Sequence, residues 1–123
     1  MTWLAVFIGG GLGSLLRYAI SLIVVGKFRI SELPVATFSA NFLACIIMAA
    51  ILIYGEKNPL SLFWSRFWLI GFCGGFSTFS TFSLENFTML QQQSYFALVA
   101  NIVLSVGVCL AVFIVAARQF QLS

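Results

Sequence analysis

Phenyl rings and hydroxyls alternate with unusual regularity between Gly74 and Ser83, where the chain reads GGFSTFSTFS. On a helix three residues advance about 300°. Phe76, Phe79 and Phe82 would then form one drifting column, Ser77, Ser80 and Ser83 a second, and Thr78 and Thr81 a third. Aromatic rings carry a positive edge that an anion can approach, and hydroxyls add hydrogen-bond donors. Gly74 and Gly75, ahead of the repeat, weaken a helix, so the break is expected there. Carbonyls freed by a break deep in a membrane are tolerated only inside protein or along a cavity, where they coordinate small cations. The same residues also serve plain packing, with Phe filling helix interfaces and Ser or Thr bonding back to the helix. The repeat alone leaves both readings open.

Other polar side chains stand in apolar surroundings and need partners. Asn41, within TFSANFLA, offers amide donors suited either to an anion or to a bond between helices. Thr37 lies four residues earlier on the same helical face, which extends a polar track. Arg17 follows IGGGLGSLL, and it can draw anions into a vestibule or snorkel to the interface. Gly9 and Gly13 form a G-x-x-x-G that allows close helix approach. The G-x-G-x-x-G spacing of a dinucleotide site is absent. Glu85, just past the repeat, is placed to pair with a base or to sit at a pore mouth.

Composition says what must position these residues. Hydrophobic residues make up 62% of the 123 and charged residues 7%, against about 45–50% and about 25% in soluble domains. The bilayer is the expected solvent. Four stretches reach the roughly 20 apolar residues that a crossing helix needs: 3–25, 33–54, 63–89 and 95–117. The loops GKFRISE, GEKNPLS and QQQS are short, so residues 1–123 read as a single all-α membrane domain. No basic cluster suggests nucleic acid. With no His and no C-x-x-C, Cys45, Cys73 and Cys109 read as inert core thiols. Lys57, Arg66 and Arg118 fall on one side, and Lys27 and Arg29 on the other. That near-balance sets no orientation by the positive-inside rule, so insertion both ways and an antiparallel dimer are expected.

The stretch GFCGGFSTFSTFSLE resembles the signature of the Fluc (CrcB) fluoride channels, supported by GGGLGSLLRY in the first span and by Thr37 and Asn41 in the second. This resemblance covers the whole four-span layout. It implies a dual-topology homodimer in the bacterial plasma (inner) membrane, with two antiparallel pores and passive, selective fluoride efflux that lowers fluoride toxicity, and no enzyme activity. The family's pore phenylalanines fall on Phe79 and Phe82, its pore asparagine on Asn41, and its hydroxyl track on Ser80 and Thr81, with Thr37 a looser match. Backbone carbonyls of Gly74 and Ser77 would hold a structural sodium ion at the dimer centre.

Two positions depart from the family pattern: Ser77-Thr78 stands where Thr-Thr is common, and Ala44 where Gly is common. The competing reading is a small four-span, dual-topology drug/proton antiporter. Such a protein needs an acidic residue in its first span, and none is present.

Overall fold

Lipid offers the backbone no hydrogen-bond partner, so a crossing segment must satisfy its own amides as a helix. The computed structural model describes residues 1–27 and 34–122. Helix α1 spans Thr2–Lys27 and α2 spans Val35–Lys57. The third span, Leu62–Gln91, is assembled from pieces. These are α3 (Leu62–Ser65), a wide π-helical segment (Arg66–Phe72), α4 (Cys73–Phe76) and α5 (Phe79–Gln91). Helix α6 spans Tyr95–Leu122. Among the described residues, four helical stretches are therefore long and apolar enough to cross a membrane. Arg29 and most of the GKFRISE connection, used above in weighing orientation, lie outside the described residues.

The elements pack in two groups that share α2. Helix α1 lies along the π segment and α4, while α6 packs against α2 and α5. Glycines set the first contact. A Cβ at Gly9 would run into the Phe67 carbonyl, and one at Gly13 into the Phe72 carbonyl. From the opposite side, a Cβ at Gly75 would meet the Gly10 carbonyl. Small residues on both helices thus let two backbones touch, which is how membrane helices associate when lipid supplies no hydrophobic drive. An aromatic ladder runs up the same part of the third span, from Phe63 through Trp64, Phe67, Trp68 and Phe72 to Phe76. Its inner end, Phe76, is buried against Ala40 and Ala44 of α2. Ala44 is itself a core contact.

The third helix breaks, but not at its glycines. Gly74 and Gly75 lie within α4, and the extended residues are Ser77 (φ −77°, ψ 159°) and Thr78 (φ −149°, ψ 115°). A tertiary partner decides the position. Asn41 Oδ1 accepts the Thr78 amide at 2.7 Å, and Asn41 Nδ2 donates to the Thr78 carbonyl at 3.4 Å. Thr78 Oγ1 then caps α5 by accepting the Thr81 amide at 3.2 Å, a role that threonine fills readily. The helical columns drawn from the repeat therefore end at the break. Phe79 and Phe82 share α5, whereas Phe76 belongs to α4 and the core.

Candidate functional site

Two grooves meet at the break, with Thr78 in the wall of both. The first, about 270 Å³, is lined by Asn41, Cys45, Ser77, Thr78, Phe79, Phe82, Ser105, Val106 and Cys109. It brings the predicted asparagine and both predicted phenylalanines together. The Phe79 and Phe82 ring centroids lie 6.1 Å apart with planes inclined by 40°. Phe79 is 81% exposed on the single chain, so its ring reaches beyond the bundle instead of packing in it. Asn41 spends one oxygen and one amide hydrogen on Thr78. The other Nδ2 hydrogen is not used by these bonds, and an amide carries two donors. Of the two readings open for Asn41, the bond between helices is therefore realised, and a donor remains beside the rings.

The second groove, about 240 Å³, is lined by Ser14, Arg17, Tyr18, Ser21, Ala36, Thr37, Thr78 and Thr81. Arg17 and the Thr37 and Thr81 hydroxyls thus meet in one polar recess between α1, α2 and α5. Thr78 Oγ1 donates to Thr81 Oγ1 at 3.0 Å and lies 3.4 Å from Ser80 Oγ. This hydroxyl run continues the floor of the recess. Ser80 itself is exposed and lines neither groove. Glu85 accepts a hydrogen bond from Thr37 Oγ1 at 2.5 Å, rather than meeting a base. Its other oxygen, Oε2, is buried without a partner among the described residues.

Gly74 and Ser77 stand where a helix would normally consume their carbonyls. The amides that would reach back to them belong to Thr78 and Thr81, four residues on. Both are diverted, to Asn41 Oδ1 and to Thr78 Oγ1. Gly74 is also exposed, with open space where a Cβ would be. Neutral oxygens left over in this way suit a hard monovalent cation. Among the described residues, no three His, Cys, Asp or Glu side chains gather as a metal site.

Several participants were not legible as such. Ser105 is buried and donates to Asn101 Oδ1 at 3.3 Å, and Asn101 Nδ2 donates to Asn86 Oδ1 at 2.9 Å. This chain ties α6 to α5 beside the first groove. The reading of all three thiols as core residues is corrected: Cys73 is fully buried, but Cys45 and Cys109 are half-buried and line the groove. Cysteine is apolar by type, so only position could separate them. In the sequence, the sole hint was their spacing, one turn after Asn41 and one turn after Ser105.

Known proteins are similar to this chain in sequence. The family described as CrcB-like protein, Camphor Resistance (CrcB), matches residues 4–117. A protein of Azobacteroides pseudotrichonymphae named fluoride-specific ion channel FluC is 43% identical over 100 residues, covering 80% of this chain and 79% of that one. Proteins of the same name from Flavobacterium psychrophilum and Serratia proteamaculans are 40% and 41% identical. Their alignments cover 84% and 85% of this chain, and 82% and 81% of theirs. With four helices able to cross a membrane and this match over nearly its whole length, the chain is a multi-pass membrane protein of the CrcB-like family.

Proposed function

We propose that the protein is a fluoride channel, passing the anion passively and selectively out of the cytoplasm. The observation that carries this reading is the first groove, where a mid-span amide and two phenyl rings converge at a helix break. Fluoride is small and tightly hydrated, so conduction requires replacing its water without trapping it. Multiple weak contacts meet that demand, and a fixed charge in the path would bind too firmly to release. Asn41, Phe79 and Phe82 supply the narrow part. The Thr81 and Thr37 hydroxyls form a polar approach, which Thr78 Oγ1 links to the Ser80 hydroxyl, Arg17 gives the vestibule a positive potential, and Glu85 orients the Thr37 hydroxyl. Purified protein in fluoride-loaded liposomes is expected to release fluoride with no gradient of pH or sodium. Fluoride release that required either gradient would overturn the passive reading, and chloride release at a similar rate would overturn the selective one.

An antiparallel homodimer with two pores completes this reading. The exposed Phe79 ring and the open side of the groove call for a second chain, and the charge count leaves both orientations accessible. The Gly74 and Ser77 carbonyls would hold sodium at the centre of that dimer. Bound sodium would supply a fixed positive charge to the assembly without moving along with fluoride. A C-terminal tag is expected on both faces of the membrane in comparable amounts. Finding it on one face only would remove the antiparallel dimer.

A further inference from the structure

Neither groove thiol has a part in the fluoride reading, yet Cys45 and Cys109 lie in the wall beside Asn41 and Phe82. Cys45 stands one turn after Asn41 on α2, and Cys109 one turn after Ser105 on α6. The second and fourth spans of a four-span chain run in the same direction, so these turns rise along the groove in step. The two thiols line one groove, and both are partly accessible while Cys73 is sealed in the core. A tetrahedral zinc site needs three or four protein ligands, and no such group forms among the described residues. Two thiols without a third donor suit instead a soft cation that accepts linear coordination, since thiolate sulfur selects soft metals.

We propose that Cys45 and Cys109 form a two-thiol site for a soft monovalent metal cation of the silver or copper(I) class, and that its occupancy closes the groove to fluoride. The inference rests on the fluoride-channel reading for its effect on flux, but not for its metal binding. Each thiol gives up its proton to solvent, two sulfur–metal bonds form, and no electron is transferred. The product is a bis-thiolate complex of net negative charge in the path of an anion. It therefore excludes fluoride both by volume and by charge.

The test uses silver nitrate on full-length protein in chloride-free liposomes loaded with fluoride, since silver fluoride stays in solution. Near-stoichiometric silver is expected to stop efflux, and a dithiol chelator to restore it. Cys45→Ser and Cys109→Ser should each raise the half-inhibiting silver concentration by about a hundredfold or more, as even outer-shell changes cost 10–100-fold in metal affinity. Cys73→Ala should keep the parent sensitivity. Maleimide labelling of the unmutated protein, read by mass spectrometry, gives a second measurement that needs neither flux nor a variant. Silver should protect Cys45 and Cys109 together. Protection of one thiol or neither, or parent-like sensitivity in either serine variant, would overturn the proposal. Absence of fluoride efflux before silver is added would instead overturn the channel reading, and the labelling result would still decide the thiol site.

Discussion

Fluoride efflux through an Asn41→Asp variant falls by roughly a hundredfold at neutral pH, while the protein remains folded. The substitution separates the two duties of this side chain. One carboxylate oxygen still accepts the Thr78 amide, which Asn41 Oδ1 meets at 2.7 Å, so the break is held. The Nδ2 donor is lost, and a second oxygen faces the Thr78 carbonyl and the passing anion. A carboxylate about 5 Å from the passing anion repels it by roughly 3 kcal/mol at an effective dielectric of about 20, and a barrier raised by that amount slows conduction about a hundredfold. Efflux from liposomes measures the loss, and size-exclusion chromatography checks the fold. Parent-like efflux would mean that Asn41 serves only as the clamp on Thr78, leaving the anion to other donors. Asn41→Ala is a less informative change, because it orphans the Thr78 amide and removes the clamp as well.

Phe79→Ile and Phe82→Ile each lower efflux about fivefold, on the basis that a specific ring contact contributes about 1 kcal/mol beyond its buried area. Isoleucine keeps the apolar bulk and discards the quadrupole. Phe79 gives the cleaner result of the two, because at 81% exposure its ring supports little packing within the chain. Phe76→Ile acts through a different route. That ring is 1% exposed and sits in the core with Ala40 and Ala44, so the change costs stability and leaves the groove lining intact. The three variants, compared by efflux and by thermal unfolding in detergent, therefore divide the repeat into pore and core. If Phe79→Ile and Phe82→Ile both conducted like the parent, their rings would be packing surfaces and the anion-edge account would fail.

Parts of this structure were legible from residue types, and parts depended on partners distant in the chain. The spans could be read because lipid imposes one solution on long apolar segments. Close approach at Gly9 and Gly13 was legible for a similar reason, since absence of a side chain has one steric meaning wherever another helix crosses. The break was legible as an event and not as a location. Glycine lowers helix propensity by only about 1 kcal/mol, and the clamp from Asn41, 37 residues away, outweighs it at Thr78. With the break displaced, the columns drawn through the repeat lost their continuity, and Phe76 left its column for the core. Arg17, Thr37 and Thr81 were rightly grouped as polar, but they share a recess separate from the rings. No single-chain pattern reveals which side of Thr78 a polar residue will face. The Asn86–Asn101 bond was hidden for the same reason, because each asparagine alone reads as a polar residue without an address.

The close contact between α1 and the third span has a consequence for how the chain matures. The carbonyls that fill the space over Gly9 and Gly13 belong to Phe67 and Phe72, which leave the ribosome nearly sixty residues later. Helix α1 thus enters the bilayer with its glycine face against lipid, and it has no partner for that face until most of the third span has been inserted. Helices α5 and α6 are in the opposite position. They are joined by the turn Gln92–Ser94, where Gln93 takes the left-handed conformation (φ 58°), and can close as a hairpin as soon as the second of them is made. Insertion first and helix association afterwards is the order that membranes favour. Here it makes the first helix synthesised wait on the third, so a chain truncated after the second span would carry an unsatisfied glycine surface that quality control could recognise.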